Sequence, residues 1–198
     1  MIKAALALAL LLPCLAPLAA PAAGTQTWPL DPAHSQTQFS VRKFWFAHAR
    51  GTFPELQGTL RRIDTASGND LAQVTASIDV AGLLMDDHAA RETTLGPRFF
   101  DAARFPLARF DSDPFPLAEL ASGGTVRGML LLHGEQHPVT FSLQASECPK
   151  QPLLCVIRVS GSLSRSDFGM HAWRGLVGDK VELSMRIVLL PCLACDHP

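Results

Sequence analysis

Short stretches of alternating apolar and polar residues dominate the chain. In the clearest of them, residues 180–189, every second side chain is apolar, beginning with Val181, Leu183 and Met185. This period of two is typical of a β-strand with one buried face. The same period marks six further stretches, at residues 38–42, 73–80, 108–112, 126–132, 139–145 and 157–163. Many short strands joined by turns predict an antiparallel sandwich or barrel.

One further strand pattern is interrupted. Residues 48–53 and 59–64 have strand character, but Gly51, Pro54 and Gly58 break the segment. The segment is therefore predicted to be either a hairpin or one strongly bulged strand. With it the count reaches about eight antiparallel strands, a number that can close into a barrel around one small ligand.

Between residues 86 and 95 the period changes to that of a helix. Two aspartates at the start of this segment are candidate N-caps, and Arg91 follows one turn later. The dipeptide Gly96-Pro97 would end the helix. Aromatic residues beyond it, Phe99 among them, are expected to seal the helix against the sheet. The pattern as a whole predicts an all-β, eight-stranded antiparallel barrel with one short helix.

The segment between the last two strands predicts a functional loop. Residues 164–173 combine charges, a glycine and large apolar side chains. Phe168, Met170 and Trp173 could plug one end of the sheet or form a lid that contacts a ligand. The residue types alone do not decide between these two interpretations.

The N-terminal residues have the composition of a secretory signal peptide. Lys3 precedes an apolar run at residues 4–12, and small residues and prolines follow up to Ala23. This run is shorter than the roughly 20 apolar residues that span a bilayer. We therefore expect residues 1–23 to be removed on export and residues 24–198 to form a single domain with a sizeable core.

Composition and charge restrict the partners. The formal net charge is −1 and no basic run is present, so neither nucleic acid nor an anionic membrane surface is expected to bind. No GxSxG, HExxH or phosphate-binding glycine loop occurs, and the seven histidines do not have the spacing of a zinc site. No nucleophile stands beside a base. These features argue against an enzyme and against a metal cofactor.

Four cysteines remain after the predicted cleavage, and an even number in an exported chain favours disulfides. Cys148 and Cys155 flank a turn-like link, so a bridge between them is the simplest pairing. Closing so short a loop stabilises a domain by about 2 to 3 kcal/mol. Cys192 and Cys195 form a CxxC without a following helix, which favours a bridged or free terminal pair. A metal site that includes His197 is the alternative.

Several short motifs in the chain resemble those of a known protein family. The motifs are Asp31-Pro32-Ala33-His34-Ser35 with Phe39, Arg50-Gly51-Thr52-Phe53, Arg98-Phe99-Phe100-Asp101, Phe105-Pro106, Val126-Arg127-Gly128-Met129-Leu130, and Arg165-Ser166-Asp167-Phe168-Gly169-Met170 continued by Val177-Gly178-Asp179. In order and spacing they resemble the YceI-like family over nearly the whole mature chain. The resemblance implies an exported, lipocalin-like barrel that encloses an isoprenoid or another long amphipathic lipid.

The signal peptide, the strands and this resemblance together predict a periplasmic carrier that binds a lipid without catalytic turnover. The expected partner is a long-chain isoprenoid, a quinone or a fatty-acid-like lipid, with no nucleic acid, no cofactor and no stable insertion into a membrane. The sequence does not decide whether the chain forms a homodimer. Two other classes are the alternatives: a small redox or metal-binding protein that uses Cys192 and Cys195, and a barrel that acts only as an interaction module.

The predicted inward faces carry no charge. They comprise Phe39, Val41, Val74, Ile78, Phe110, Leu130, Phe141, Ile157, Val181, Leu183 and Met185. Burying a polar head group among them would cost on the order of several kcal/mol, so the head is expected at a mouth of the barrel. Lys43, Arg91 and the pair Arg165 and Asp167 are the candidates there. Lys43 could instead extend into water, and the pair could form an ion pair that fixes the loop.

The predicted ligand contacts combine the inward faces, the mouth and the loop. They are Phe39, Val41, Lys43, Trp45, Ile78, Arg91, Phe99, Phe110, Leu130, Phe141, Arg165, Asp167, Phe168, Met170, Trp173 and Leu183. Because burial of each carbon contributes about 0.8 kcal/mol, the apolar tail is expected to dominate the affinity, and the sequence leaves the identity of the lipid open.

Overall fold

The structure is a computed structural model that describes residues 26–44, 46–65 and 68–192. Within these residues, eleven antiparallel strands form one sheet. The strands are β1 (Thr27–Pro29), β2 (Gln36–Lys43), β3 (Ala47–Phe53), β4 (Leu56–Ile63), β5 (Leu71–Asp79), β6 (Leu107–Ser112), β7 (Phe115–Pro116), β8 (Gly124–Leu132), β9 (Glu135–Leu143), β10 (Ile157–Ser164) and β11 (Val177–Ile187). Their order is β1-β4-β5-β6-β8-β9-β10-β11-β2-β3, and β7 pairs with β5. The predicted signal peptide, Trp45, Cys195 and His197 lie outside the described residues.

Short helical elements interrupt the strands. They are α1 (His88–Leu95), α2 (Glu119–Ser122) and three 3-10 turns, Val80–Gly82, Pro152–Leu154 and Arg165–Phe168. The predicted helix is confirmed as α1. Its N-cap is Asp87, whose carboxylate accepts hydrogen bonds from the N–H groups of Ala89 and Ala90 at 2.9 and 3.2 Å. Gly96 follows its last turn, where the sequence places the end of the helix.

Two seams curl the sheet into a barrel. At one seam Leu30 and Leu189 form an antiparallel bridge, which brings the end of β1 against the end of β11. At the other seam Thr52 and Leu84 exchange both backbone hydrogen bonds, at 2.9 and 2.8 Å. The predicted all-β antiparallel barrel is confirmed, with eleven strands in the described chain rather than eight. The difference arises partly because β1 and β7 have only three and two residues, too few to show a period.

The interrupted segment forms two strands that do not pair with each other. β3 pairs with β2, whereas β4 pairs with β1 and β5. The hairpin alternative is therefore wrong, and so is a single bulged strand, because the segment forms two separate strands with different partners. The break falls at Pro54, which has no N–H to donate to a ladder. At Gly58 the backbone has φ 151°, and a Cβ there would collide with the carbonyl oxygen of Thr75, so only glycine fits.

The link between β1 and β2 anchors the last strand. Ser35 is fully buried, and its hydroxyl accepts a hydrogen bond from the N–H of Val188 at 3.0 Å and donates one to the carbonyl of Val188 at 3.2 Å. Nearby, the ring of His34 bonds the carboxylate of Asp31 at 2.6 Å, and this bond lowers the pKa of Asp31 below its ordinary value. The motif at residues 31–35 thus joins the link between β1 and β2 to the end of β11.

The predicted disulfide is confirmed. Cys148 and Cys155 are bonded across the connection between β9 and β10, with their Cα atoms 6.1 Å apart. Cys192 is disulfide-bonded as well. Among the described residues, no three or more His, Cys, Asp or Glu side chains are grouped as a metal site. No helix in the same part of the chain is long and apolar enough to cross a membrane.

Candidate functional site

An apolar cavity of about 440 Å³ lies inside the barrel. The inward halves of the strands form its walls. On β11, Val181, Leu183 and Met185 line the cavity, whereas Glu182 and Ser184 between them are exposed. The eleven inward residues named from the alternation all line this cavity. The period of two in the sequence therefore predicts the walls correctly.

Two glycines make room in the wall for aromatic rings. Phe39 on β2 lies directly opposite Gly51 on β3, and Phe141 on β9 lies opposite Gly161 on β10. A Cβ at Gly161 would come within 2.5 Å of the Phe141 ring, and a Cβ at Gly51 would overlap the Phe39 ring. Each ring thus occupies the space that a side chain on the neighbouring strand would need, an arrangement that also covers the bare backbone of the glycine. The two rings therefore occupy less of the cavity than they would beside a residue with a side chain.

One end of the cavity has a buried floor. Phe115 on β7 and Leu120 on α2 line the cavity there and are 5% and 3% exposed. They pack in one cluster with Leu60 and Leu143. The sequence shows no period in residues 113–124, because β7 has two residues and α2 is a single turn. The floor could therefore not be predicted from the pattern.

The other end of the cavity is its mouth. Lys43 and Phe99, both half-buried, and Asp87 and Trp173, both exposed, line the cavity at this end. The rings of Phe99 and Trp173 meet edge to face, with centroids 5.5 Å apart. Phe99 follows α1 and Trp173 lies in the loop before β11, so this contact joins two segments across the mouth. Trp173 therefore covers part of the mouth, and its contact with a ligand stays a prediction.

Arg165 fixes this loop from within. Its side chain is 4% exposed and donates hydrogen bonds to three backbone carbonyls. The acceptors are Met170, Val177 and Gly178, the last two at 3.1 and 3.0 Å. Burial lowers the pKa of Arg165 below its ordinary value. The predicted ion pair with Asp167 is wrong, because Asp167 is exposed and the guanidinium of Arg165 is directed to carbonyl groups instead.

Three of the predicted contacts do not line the cavity. Arg91 on α1 donates its hydrogen bonds to the carbonyls of Leu83 and Ala81, which ties the helix to the 3-10 turn after β5. Asp167 faces solvent. Phe168 is 1% exposed and packs in a separate cluster. Of the two interpretations of the loop, plug and lid, the plug therefore describes Phe168. The other predicted residues line the cavity, except Trp45, which is outside the described residues.

The sequence interpretation missed the face that α1 presents to the cavity. Ala90, Thr93 and Thr94 line the cavity near the mouth, together with Met85 before the helix. Their spacing of three and four residues is that of one helix face, and this was the available signal. The small, partly polar side chains hid it, since a core-facing helix usually shows larger apolar residues.

Comparison with known proteins agrees with this architecture. A family model for the YceI-like domain matches residues 28–189. The chain belongs to the YceI-like family. No curated protein matches it.

Three solved structures share the YceI-like barrel. Burkholderia cenocepacia BcnA is 22% identical, with a TM-score of 0.58 over 80% of this chain and 98% of that one. A polyisoprenoid binding domain from Saccharophagus degradans, implicated in plant cell wall breakdown, is 18% identical, with a TM-score of 0.58 over 81% and 95%. The Campylobacter jejuni YCEI protein is 15% identical, with a TM-score of 0.54 over 76% and 90%. At these identities the similarity concerns the fold.

Proposed function

We propose that this YceI-like protein is an exported, non-catalytic carrier that holds one long-chain amphipathic lipid, of the isoprenoid class or similar to it. The observation that supports the proposal most directly is the apolar cavity, which has a buried floor and one mouth. Its volume of about 440 Å³ falls in the range of small-ligand sites, about 300 to 1,000 Å³. The polyisoprenoid-binding relative supports the choice of lipid class. The predicted signal peptide supports the periplasm as the location.

In this proposal the tail lies in the cavity and the head group stays at the mouth. Burying five carbons contributes about 4 kcal/mol at ~0.8 kcal/mol each, whereas one charge-assisted hydrogen bond to a head group contributes about 1.5 to 3 kcal/mol. Lys43 is the cation best placed for that bond, because it lines the cavity and is only half-buried. The tail therefore supplies most of the affinity, and Lys43 adds a preference for acceptor-bearing heads.

Solvent extraction tests the proposal. The mature protein is isolated from its native periplasm, extracted with organic solvent and analysed by mass spectrometry, and a second sample is analysed for metal. We expect about one lipid per chain, on the basis of a single cavity of this size. The proposal fails if the protein carries no lipid and also binds no added long-chain probe. A stoichiometric metal in a protein without lipid would favour the alternative that uses the terminal cysteines.

Substitution of the wall glycines tests how the cavity sets ligand length. In Gly51→Ala or Gly161→Ala the new methyl group displaces the opposite Phe ring, Phe39 or Phe141, toward the cavity. If the ring takes the place of two or three ligand carbons, affinity for the longest ligands falls roughly 10- to 50-fold while short ones bind almost unchanged. Gly82→Ala is the matched control, because a Cβ there would meet no heavy atom within 4 Å.

Titrations with a series of fatty acids of increasing length would measure this effect, with melting curves to verify the fold. Equal losses for short and long ligands in the wall variants would contradict the length argument.

A further inference from the structure

Exposed apolar side chains cluster beside the mouth. Phe44 and Phe46 on the turn between β2 and β3 are 47% and 85% exposed, and Trp173 and Leu176 on the loop before β11 are 44% and 51% exposed. The two loops are in contact, since the N–H of Phe44 donates to the carbonyl of Leu176 at 2.8 Å. We call these four residues the mouth rim. Single exposed apolar residues are common on protein surfaces, but four on adjoining loops mark an interaction surface.

Two of these aromatic residues have unusual backbone conformations. Phe44 has φ 50° and Trp173 has φ 53°, which lie in the left-handed region that bulky residues rarely adopt. The turn at Trp173 is closed by hydrogen bonds from the N–H groups of Leu176 and Val177 to its carbonyl, at 3.0 and 2.9 Å. A conformation of this kind persists where the surrounding structure enforces it, and such positions concentrate at binding sites.

The two loops are also positively charged. Residues 42–48 and 170–178 contain Arg42, Lys43 and Arg174, together with two histidines, and no aspartate or glutamate. On the opposite side of the mouth, the carboxylate of Asp87 accepts the capping hydrogen bonds of α1. On the loop side, the carboxylate of Asp179 accepts a hydrogen bond from the N–H of Ser166. The net charge of the whole chain is −1, and this value argues against binding to an anionic membrane. It does not reveal the local excess of positive charge on these two loops.

We propose that the mouth rim docks reversibly on the surface of a bilayer that contains anionic lipids, and that the lipid passes between bilayer and cavity at this point. This inference rests on the proposed carrier function. Aromatic side chains favour the interfacial region of a bilayer, and lysine and arginine near an anionic surface strengthen binding. The cavity opens beside these residues, so a lipid tail could move between two apolar environments with little exposure to water.

Vesicle sedimentation tests the docking. The mature protein is mixed with vesicles of phosphatidylcholine alone, or of phosphatidylcholine with phosphatidylglycerol, and the bound fraction is measured. We expect tighter binding to the anionic vesicles and weakening by added salt, because surface electrostatics are screened. The double variant Phe46→Ser/Leu176→Ser should bind about tenfold more weakly or worse. Neither of these two residues lines the cavity.

Matched variants provide the controls. Leu131→Ser/Leu154→Ser removes two exposed leucines from other parts of the surface, 37% and 77% exposed, and should bind vesicles like the unmodified protein. Arg174→Gln should weaken binding to anionic vesicles by about fivefold, whereas Arg127→Gln on the outer face of β8 should not. Docking is overturned if the rim variant and the leucine control bind vesicles equally well.

A second readout separates docking from the carrier function. Binding of a soluble fluorescent fatty acid is measured without vesicles for every variant. The rim variants should bind this probe normally, because their cavity is intact. If the unmodified protein binds the probe but no vesicle, docking fails and the carrier function stands. If it binds vesicles but neither carries a lipid nor binds the probe, the proposed carrier function fails while docking stands.

Discussion

Replacement of Phe141 by aspartate is expected to abolish lipid binding. Phe141 lines the cavity, is 5% exposed and meets the ring of Phe110 edge to face at 5.2 Å. A carboxylate in its place would stand on an apolar wall. Burying it under a lipid tail without a partner costs on the order of several kcal/mol, which corresponds to a loss of affinity of about 100-fold or more.

The neighbouring residue on the same strand provides the control. Thr140 is exposed and points away from the cavity, so Thr140→Asp adds the same charge outside the barrel and should leave affinity unchanged. Circular dichroism and melting curves would verify that both variants fold. A folded Phe141→Asp protein that binds lipid as tightly as Thr140→Asp would show that the ligand does not occupy this cavity.

Replacement of Arg165 by alanine is expected to destabilise the protein strongly. The variant loses three hydrogen bonds from a buried cation and leaves the carbonyls of Met170, Val177 and Gly178 without that donor. Such bonds contribute about 1.5 to 3 kcal/mol each and are not additive, so a total loss of about 3 to 5 kcal/mol is expected. Lysine should restore little, because an ammonium group cannot reproduce the planar fork that reaches three acceptors.

Arg158→Ala is the control for this experiment. Arg158 lies on β10, the strand that ends just before Arg165, but its partner is Glu147, in an exposed ion pair of 2.7 Å that should contribute less than about 1 kcal/mol. Urea unfolding would measure the free energy of unfolding, and limited proteolysis would detect opening of the loop before β11. Equal stability of the two variants would mean that Arg165 does not fix the loop. Any loss of lipid affinity in Arg165→Ala is then expected for all head groups alike, because the change acts through the lid.

The walls of the site could be predicted from the sequence because they depend only on local order. In a strand, successive side chains point to opposite faces, so the inward assignment of Phe39, Leu130 or Met185 follows from the period alone. The same holds for α1, whose cap and end are fixed by the adjacent Asp87 and Gly96. Neither feature requires knowledge of the rest of the fold.

The roles of the charged residues could not be predicted in this way. Arg165 and Arg91 are both bonded to backbone carbonyls, and those acceptors come within reach only when the turns that carry them have folded. A sequence shows the charge of an arginine, but it does not show a carbonyl that has no other partner. The floor escaped prediction for a related reason, since Phe115 and Leu120 are buried by packing against other elements.

Family motifs in this chain mark structural positions more often than contacts with a ligand. Ser35 joins the link after β1 to the end of the last strand, Gly51 makes room for a ring, and Arg165 fixes the loop over the mouth. None of these tasks depends on the identity of a ligand in the cavity. The residues that select the ligand are therefore expected at the mouth and on α1, outside most of the motifs.

The buried floor has a consequence for the order of events during exchange. Since Phe115 and Leu120 close one end, a lipid in the proposed carrier would enter with the far end of its tail first and leave with its head first. The head group is then the last part to be enclosed and the first to be presented to an acceptor. Affinity should rise with each added carbon only until the tip of the tail reaches Phe115. Carbons beyond that length stay outside, so a plot of binding free energy against chain length should reach a plateau.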